Sequence, residues 1–322
     1  MTTLEHPTAV AASEGTPAPR PAGPARETAR VHPSGGEQVV GLLRSTRPRQ
    51  WVKQVLIVAA PAAAGVLTTP GVLGAVVATM VVFTLACAAT YLLNDVLDRS
   101  RDRMHPVKRY RPIAAGQVRP AVALGTATAL ASLSLGLAGA LGTGVVLCVL
   151  AYGALTISYS GWLKHRAVLD LAAVAGGFVL RAVVGGVASG VALSQPFLLV
   201  ALCGSLVLVT GKRRSEQLAQ ASTGPSSRGV LRDYPPAFLD QVLTVSAGAT
   251  LVFYLQWSAS LLSDDQTLLA ASALPFALAL LRLLLLVQRG AAEAPERLLA
   301  HDRPAQAAAL AWVLLLVVGL YA

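Results

Sequence analysis

Four residues with oxygen-bearing side chains lie at the end of a long apolar run. Asn94, Asp98 and Asp102 follow one another at intervals of four, so a helix places them on one face, with Asp95 beside them. Ionisable groups at membrane depth are costly and usually functional. Oxygen ligands at this spacing suit Mg²⁺, which usually also contacts substrate phosphates. The row therefore predicts a metal site for a phosphorylated substrate, with Asp95 and Asp98 also as catalytic groups.

A strongly basic loop follows this row and contains Lys108, Arg109 and Arg111. Lysine and arginine neutralise phosphate oxygens and bind them through charge-assisted hydrogen bonds. The loop therefore predicts phosphate contacts beside the metal. The competing interpretation is a solvated segment at the membrane surface with ordinary salt bridges.

A second cluster of charged residues surrounds the fifth apolar run. Lys164 and Arg166 flank its start, Asp170 lies in the first turn and Arg181 lies deep within the run. Asp170 and Arg181 are about three helical turns apart and so share a face. An intramembrane arginine is a functional-site hypothesis by default, with a substrate phosphate or the metal-site acids as its partner. The alternative is a structural ion pair inside the bundle.

Two further basic segments lie next to apolar runs. One contains Lys212 and Glu216, and the other contains Trp51 and Lys53. Basic residues at such positions are often topology signals or attract anionic lipids, and Trp51 is typical of an interfacial anchor. Phosphate binding by Lys53 and Lys212 is the functional alternative.

The composition is typical of a multi-pass membrane protein. Of 322 residues, 54% are hydrophobic and 13% are charged, with a mean hydropathy of +0.60, whereas soluble proteins contain about 25% charged residues. The net charge of +10 is concentrated in short loops between apolar runs, which favours a lipid bilayer over nucleic acid as the partner. Cys87, Cys148 and Cys203 lie inside apolar runs without metal-ligand spacing, so we interpret them as packing residues.

A transmembrane helix needs roughly 20 mostly apolar residues. Nine segments meet this requirement, at about 52–68, 72–97, 120–140, 143–160, 167–188, 195–211, 238–260, 267–288 and 304–321. The connections after the first, third, fifth and seventh segments contain no lysine or arginine, whereas those after the even-numbered segments are basic. The positive-inside rule then predicts a cytoplasmic N-terminus, an external C-terminus and an acidic row that faces the cytoplasm.

The domain organisation follows from the same pattern. Residues 1–36 are rich in Pro, Ala, Thr, Ser and Gly, which predicts a disordered cytoplasmic tail. Residues 37–322 are predicted to form one transmembrane catalytic domain. The oligomeric state stays open, with a homo-oligomer as one option.

The acidic row and the count of nine spans resemble the UbiA superfamily of intramembrane prenyltransferases. The chain is more closely similar to the decaprenyl-phosphate phosphoribosyltransferase branch of that superfamily. That similarity covers about residues 40–322 and rests on segments 47–53, 91–116, 163–186, 210–216 and 295–303.

The resemblance implies an all-α, nine-helix bundle in the plasma membrane and a specific reaction. Phosphoribosyl pyrophosphate would donate its 5-phosphoribosyl group to a polyprenyl phosphate and release pyrophosphate, and the product would feed cell-wall arabinan synthesis. The implied Mg²⁺ ligands are Asn94, Asp95, Asp98 and Asp102. The implied substrate-binding residues are Lys53, Lys108, Arg109, Arg111, Tyr159, Lys164, Arg181 and Lys212, and Asp170 of the second motif is an implied catalytic residue.

One departure from the superfamily pattern bears on the substrate. Enzymes that use prenyl diphosphates typically contain a second run of aspartates, whereas this chain has Lys164 and Arg166 with a single acid, Asp170. One acidic and one basic site suit a Mg²⁺-bound pyrophosphate plus a bare phosphate. The alternatives are an intramembrane prenyltransferase with an aromatic or haem acceptor, and a transporter or lipid flippase.

Overall fold

A computed structural model describes residues 34–223, 229–261, 267–289 and 302–321, with backbone only for 220–223. Most of the predicted tail, residues 1–33, and most of segment 295–303 lie outside these ranges. At residues 34–36, the last three of that predicted tail, a helix begins, and Ser34 and Glu37 form a reciprocal capping box. The described ranges consist of helices and connecting turns, without a strand.

Eight helices within the described ranges are long and apolar enough to cross a membrane, counting two short pieces after residue 266 as one. The α-helices are α1 Gly35–Ser45, α2 Leu56–Ala63, α3 Val72–Leu97, α4 Arg99–Arg103, α5 Pro120–Leu141, α6 Thr143–Gly161, α7 Leu169–Ser189, α8 Gln195–Thr223, α9 Pro236–Ser260, α10 Thr267–Ala271, α11 Ala273–Gln288 and α12 Arg303–Tyr321. Short 3₁₀ helices cover Pro48–Val55, Lys108–Tyr110, Leu163–His165 and Gly229–Asp233. The prediction of an all-α polytopic bundle is confirmed.

The first predicted span, 52–68, is not among these eight helices, because its α-helical part is short. A 3₁₀ helix over Pro48–Val55 precedes the eight-residue α2. At about 2.0 and 1.5 Å per residue these two pieces reach roughly 28 Å, close to the thickness of a hydrocarbon core. Arg47, which immediately precedes this segment, contacts Asp95. Near the end of the segment, the carbonyl of Ala62 accepts a hydrogen bond from Tyr321 Oη at 3.2 Å. The segment thus extends from the acidic row to the C-terminal end of α12.

A glycine fixes how closely this segment approaches α7. A Cβ atom at Gly185 would lie 1.9 Å from the carbonyl oxygen of Ile57, so the two backbones are in direct contact. Small residues permit such close approach between helices in membranes. This contact holds α2, which directly follows the 3₁₀ helix, against α7.

Candidate active site

A polar cavity of about 300 Å³ lies at the C-terminal ends of α3, α4 and α6 and beside the residues that precede α7. The sequence analysis singled out many of its lining residues, although they are far apart in the chain. They include Asn94, Asp98, Asp102, Lys108, Arg111, Tyr159 and Lys164. The other lining residues are Arg47, Thr90, Tyr91, Arg101, His105, Thr156, Ser160, His165 and Gly229.

The acidic row forms a continuous helical face, as its spacing predicts. The backbone nitrogen of Asp98 donates to Asn94 O, and that of Asp102 donates to Asp98 O, each at 2.8 Å. Lys164 Nζ lies 2.9 and 3.0 Å from the two carboxylate oxygens of Asp98. Arg111 Nη1 lies 2.7 Å from Asp102 Oδ2. Arg111 of the basic loop and Lys164 of the second cluster therefore meet the acidic row in one cavity.

Asp95 differs from its neighbours because it is only 3% exposed and does not line the cavity. Its Oδ1 accepts hydrogen bonds from Arg47 at 2.5 Å and from Arg111 at 3.1 Å. Arg47 also lies over the ring of Tyr91, 4.7 Å from its centroid. Asp95 therefore orients two arginines at the edge of the cavity.

Three of the four predicted Mg²⁺ ligands line the cavity. Within the described ranges, no three His, Cys, Asp or Glu side chains converge as a metal-binding group. The cavity nevertheless presents the amide of Asn94 and the carboxylates of Asp98 and Asp102 together. Mg²⁺ commonly binds through one or two carboxylates, several waters and substrate phosphates. These three residues line the cavity and could offer oxygens to the ion, whereas Asp95 does not line it, so its role as a ligand stays a prediction.

Positive charge predominates in the cavity. Five lysines and arginines line it against two carboxylates, and these cations are Arg47, Arg101, Lys108, Arg111 and Lys164. Burial and the charges of Lys164 and Arg101 lower the pKa of His165, and burial and the charge of Lys108 lower the pKa of His105. Such a cavity is suited to an anion with several phosphate oxygens.

Asp170 lies outside the cavity in a buried cluster of its own. Its carboxylate, which is 0% exposed, accepts hydrogen bonds from Arg213 Nε at 2.8 Å and from the hydroxyl of Tyr234. The Tyr234 hydroxyl in turn accepts a hydrogen bond from the backbone nitrogen of Val168 at 2.6 Å. Burial and the hydrogen bond to Asp170 raise the pKa of Tyr234. Asp170 thus connects α7 to α8 and to the segment before α9.

Val168, next to this cluster, has an unusual backbone conformation. Its φ and ψ are 68° and −47°, and Leu169 N donates to Ala167 O at 2.8 Å. These values describe a classic γ-turn, which is rare and strained, especially for a β-branched residue. The turn lies between Lys164 in the cavity and Asp170 in the buried cluster.

Arg181 also lies outside the cavity and is only 5% exposed. It donates to Gln54 Oε1 at 3.1 Å, to Gly177 O at 2.6 Å and to Cys87 Sγ at 3.2 Å. Its guanidinium carbon lies 5.0 Å from the ring centroid of Tyr152. These partners are uncharged. Asp170 and Arg181 are predicted to share a helix face, but their side chains bind different partners.

Three predicted phosphate-binding residues do not line the cavity either. Lys53 Nζ lies 5.4 Å from the ring centroid of Phe178 on α7. Arg109 Nη2 donates to the hydroxyl of its neighbour Tyr110 at 2.7 Å. Lys212 is half-buried on α8.

Sequence reasoning missed several residues of the cavity. Arg47 belongs to a basic segment from which only Lys53 was selected, and Arg101 and His165 adjoin selected residues. The high density of basic residues in these segments was the available signal. No signal in the sequence pointed to Tyr234, because residues 217–236 contain no recognisable motif.

Comparisons with known proteins agree with this architecture and resemblance. The model of the UbiA prenyltransferase family matches residues 55–303. A decaprenyl-phosphate phosphoribosyltransferase from Corynebacterium glutamicum is 42% identical over 290 residues, covering 87% of each chain. A protein of the same name from Mycolicibacterium smegmatis is 40% identical, covering 85% of this chain and 91% of its own. The resemblance inferred from the motifs is confirmed.

Solved structures show the same fold. A UbiA homologue from Archaeoglobus fulgidus bound to GPP and Mg²⁺ superposes with a TM-score of 0.66 and 17% identity, covering 87% of this chain and 98% of its own. Digeranylgeranylglyceryl phosphate synthase gives a TM-score of 0.63 with 15% identity, covering 88% and 99%. The chain is therefore a multi-pass membrane transferase that belongs to the UbiA prenyltransferase family.

Proposed function

We propose that this enzyme transfers the 5-phosphoribosyl group of phosphoribosyl pyrophosphate to a polyprenyl phosphate such as decaprenyl phosphate, in a Mg²⁺-dependent reaction that releases pyrophosphate. The observation that supports it most is the charge of the cavity, where five cations face two carboxylates. Two substrates that both contain phosphate groups need such an excess of positive charge. The names of the relatives from Corynebacterium and Mycolicibacterium agree with this choice. The product would serve as a precursor of cell-wall arabinan.

The leaving pyrophosphate is assigned to the acidic side of the cavity. Asn94, Asp98 and Asp102 would hold the metal there. The ion, when bound, supplies Lewis-acid stabilisation of the negative charge on the departing group. Lys108 and Arg111 also line the cavity and would neutralise further phosphate oxygens. Asp95 binds Arg111 and Arg47, which both line the cavity, and is thus a positioning residue in this proposal.

The acceptor phosphate is assigned to the side of Lys164, Tyr159 and Arg101. In the reaction the bond between ribose C1 and the pyrophosphate oxygen breaks, and an acceptor phosphate oxygen forms the new bond to C1. Because that oxygen is already anionic, the reaction does not require a strong general base. Catalysis then consists mainly of positioning two anions against each other inside a cationic cavity.

The arrangement around Asp170 argues against a prenyl diphosphate as the donor. Enzymes of that type would use a second acidic run near α7. In this part of the described chain, Asp170 is the acid on α7. It lies outside the cavity and accepts hydrogen bonds from Arg213 and Tyr234. The donor is therefore assigned as the sugar pyrophosphate.

The membrane orientation is proposed from the distribution of charge. The cavity lies at the end of the bundle where the basic connections gather. The positive-inside rule assigns this end to the cytoplasm, with the N-terminus inside and the C-terminus outside the plasma membrane. A soluble phosphorylated donor then reaches the cavity directly from the cytoplasm.

The proposal is tested by label transfer. Purified enzyme, Mg²⁺, labelled phosphoribosyl pyrophosphate and decaprenyl phosphate are incubated, and label is measured in the organic phase after extraction. We expect lipid-soluble label with the wild type and its loss when Mg²⁺ is chelated. Absence of transfer, with activity on a prenyl diphosphate and an aromatic acceptor instead, would support the prenyltransferase alternative.

A further inference from the structure

We infer that His105 binds an oxygen of the leaving pyrophosphate through its Nε2–H, as an uncharged hydrogen-bond donor. His105 lies in the turn between α4 and the 3₁₀ helix Lys108–Tyr110, and its side chain lines the polar cavity. The inference rests on the proposed function for the identity of the substrate. It adds a substrate contact to those of the metal ligands and the cations.

The imidazole of His105 is held by the backbone of its own turn. Its Nδ1 accepts hydrogen bonds from the backbone nitrogens of Val107 and Lys108, each at 3.1 Å. The side-chain oxygen of an asparagine or aspartate caps a turn in a similar way. The backbone nitrogen of His105 donates to Asp102 O at 3.1 Å, and His105 O accepts from Arg109 N at 3.2 Å. His105 is therefore fixed between the last acid of the acidic row and Lys108.

These contacts decide which ring nitrogen carries the proton. A backbone N–H group can only donate, so Nδ1 is the acceptor and the hydrogen of the neutral ring lies on Nε2. Among the described residues, none is hydrogen-bonded to Nε2 of His105. The turn thus uses one ring nitrogen and leaves the other as a donor for a ligand in the cavity.

His165 also lines the cavity but has a different arrangement. Its Nε2 lies 3.5 Å from Arg101 Nη1. A guanidinium group contains donors and no acceptor, so this nitrogen of His165 faces a donor. The Nε2–H group offered to a ligand is therefore assigned to His105, on the side of the cavity that contains Asp102 and Lys108.

The surroundings of His105 indicate which part of the substrate it contacts. Asp102 and Lys108, the two cavity residues to which it is hydrogen-bonded, are both assigned to the pyrophosphate. Hydrogen bonds to an anionic oxygen are stronger than those between neutral groups. An imidazole N–H group provides such a bond without adding a further charge to a cavity that already has five cations. His105 thus adds directional binding where Lys108 supplies charge.

Two substitutions of His105 separate the donor from the turn. Asparagine places Oδ1 near the position of Nδ1 and can keep the turn, but it has no group at the position of Nε2. Glutamine places an amide nitrogen near Nε2 and loses the short acceptor. We expect His105→Asn to raise the KM for phosphoribosyl pyrophosphate and the inhibition constant of pyrophosphate by about ten- to hundredfold. His105→Gln should raise both constants less, and the KM for decaprenyl phosphate should stay unchanged in both variants.

A role confined to the turn predicts the reverse order. His105→Asn would then equal the wild type and His105→Gln would be impaired, and this result overturns the inference. A raised KM for phosphoribosyl pyrophosphate with an unchanged inhibition constant of pyrophosphate also overturns it, because the contact then lies with another part of the donor.

A second measurement detects the proton directly in the wild-type enzyme. The protein is prepared with isotopically labelled histidine in lipid nanodiscs, and the NMR signals of His105 are identified by their loss in His105→Asn. We expect a ring protonated at Nε2, whose proton signal moves downfield when Mg²⁺ and pyrophosphate are added but not when decaprenyl phosphate is added. Protonation at Nδ1, or an Nε2–H signal that pyrophosphate leaves unchanged, overturns the inference even if both variants are equally impaired.

The two experiments separate this inference from the proposed function. Wild-type enzyme that transfers no phosphoribosyl group contradicts the function, whereas the NMR titration requires no turnover. Wild-type enzyme that transfers normally, together with an Nε2–H signal of His105 that does not respond to pyrophosphate, overturns only the role of His105.

Discussion

The hydroxyl oxygen of Tyr234 lies 2.6 Å from the backbone nitrogen of Val168 and accepts its hydrogen. This bond stabilises a γ-turn whose φ of 68° places a β-branched side chain in a rarely populated region. Backbone strain of this kind costs about 1–3 kcal/mol and persists only where neighbouring contacts hold it. The same hydroxyl donates to Asp170, so a single phenol connects the turn to the buried ion pair with Arg213.

Tyr234→Phe should therefore weaken substrate binding without touching the cavity. Loss of the hydroxyl frees the turn that follows Lys164, and we expect the KM for the polyprenyl phosphate, which is assigned to Lys164, to rise by about three- to tenfold. The measurement is steady-state kinetics with each substrate varied in turn. Adding Val168→Gly should restore part of the loss, because glycine adopts a positive φ without strain. Tyr321→Phe, which removes a hydroxyl at the far end of α12, is the matched control. Unchanged constants in Tyr234→Phe would mean that the turn needs no such support.

Asp98→Asn should reduce turnover more than the replacement of any acid outside the acidic row by its amide. The change keeps the shape of the side chain but removes the charge that faces the cavity, and we expect turnover to fall by about 10²- to 10³-fold. A Mg²⁺ titration should show a raised half-saturating concentration. Asp240→Asn, whose carboxylate pairs with Arg214 outside the cavity, should retain activity. Near-normal turnover of Asp98→Asn at low Mg²⁺ would remove Asp98 from the metal site.

Arg111→Lys should lower activity although the charge is kept. Arg111 Nη1 lies 3.1 Å from Asp95 and 2.7 Å from Asp102, and the planar guanidinium has further donors for a phosphate. Lysine offers one ammonium group and cannot reproduce this geometry. We expect kcat/KM for the donor to fall by about ten- to hundredfold. Arg119→Lys, at an exposed position beside Gln38, should behave as the wild type. Equal activity of the two variants would reduce the role of Arg111 to its charge.

Arg181→Gln separates a structural role from substrate binding. The uncharged partners of Arg181 lose hydrogen bonds in this variant, which should destabilise the fold by about 1–3 kcal/mol. We expect a lower midpoint of thermal unfolding in detergent, and an unchanged KM for both substrates because Arg181 does not line the cavity. A raised KM with unchanged unfolding would restore the phosphate-binding role that its position in the sequence suggested.

The parts of the site that could be predicted from sequence depend on local spacing. Intervals of four residues are sufficient to place Asn94, Asp98 and Asp102 on one helical face, and long apolar runs identify eight of the helices. The contact between Tyr234 and Asp170 spans 64 residues, so local spacing contains no information about it. Residues 52–55 belong to a 3₁₀ helix that begins at Pro48, although the apolar run predicts a membrane-spanning α-helix from about residue 52.

The uncharged environment of Arg181 also bears on how the chain enters the membrane. A guanidinium at the centre of an isolated transmembrane helix opposes insertion by about 2.5–3.5 kcal/mol. The side chains that contact this guanidinium are those of Gln54, Cys87 and Tyr152. All three residues precede α7 in the sequence. During synthesis the acceptors therefore reach the bilayer before the arginine does. We expect α7 to insert poorly when expressed alone and efficiently behind residues 34–161, so that the order of synthesis itself lowers the cost of placing a charge in the membrane.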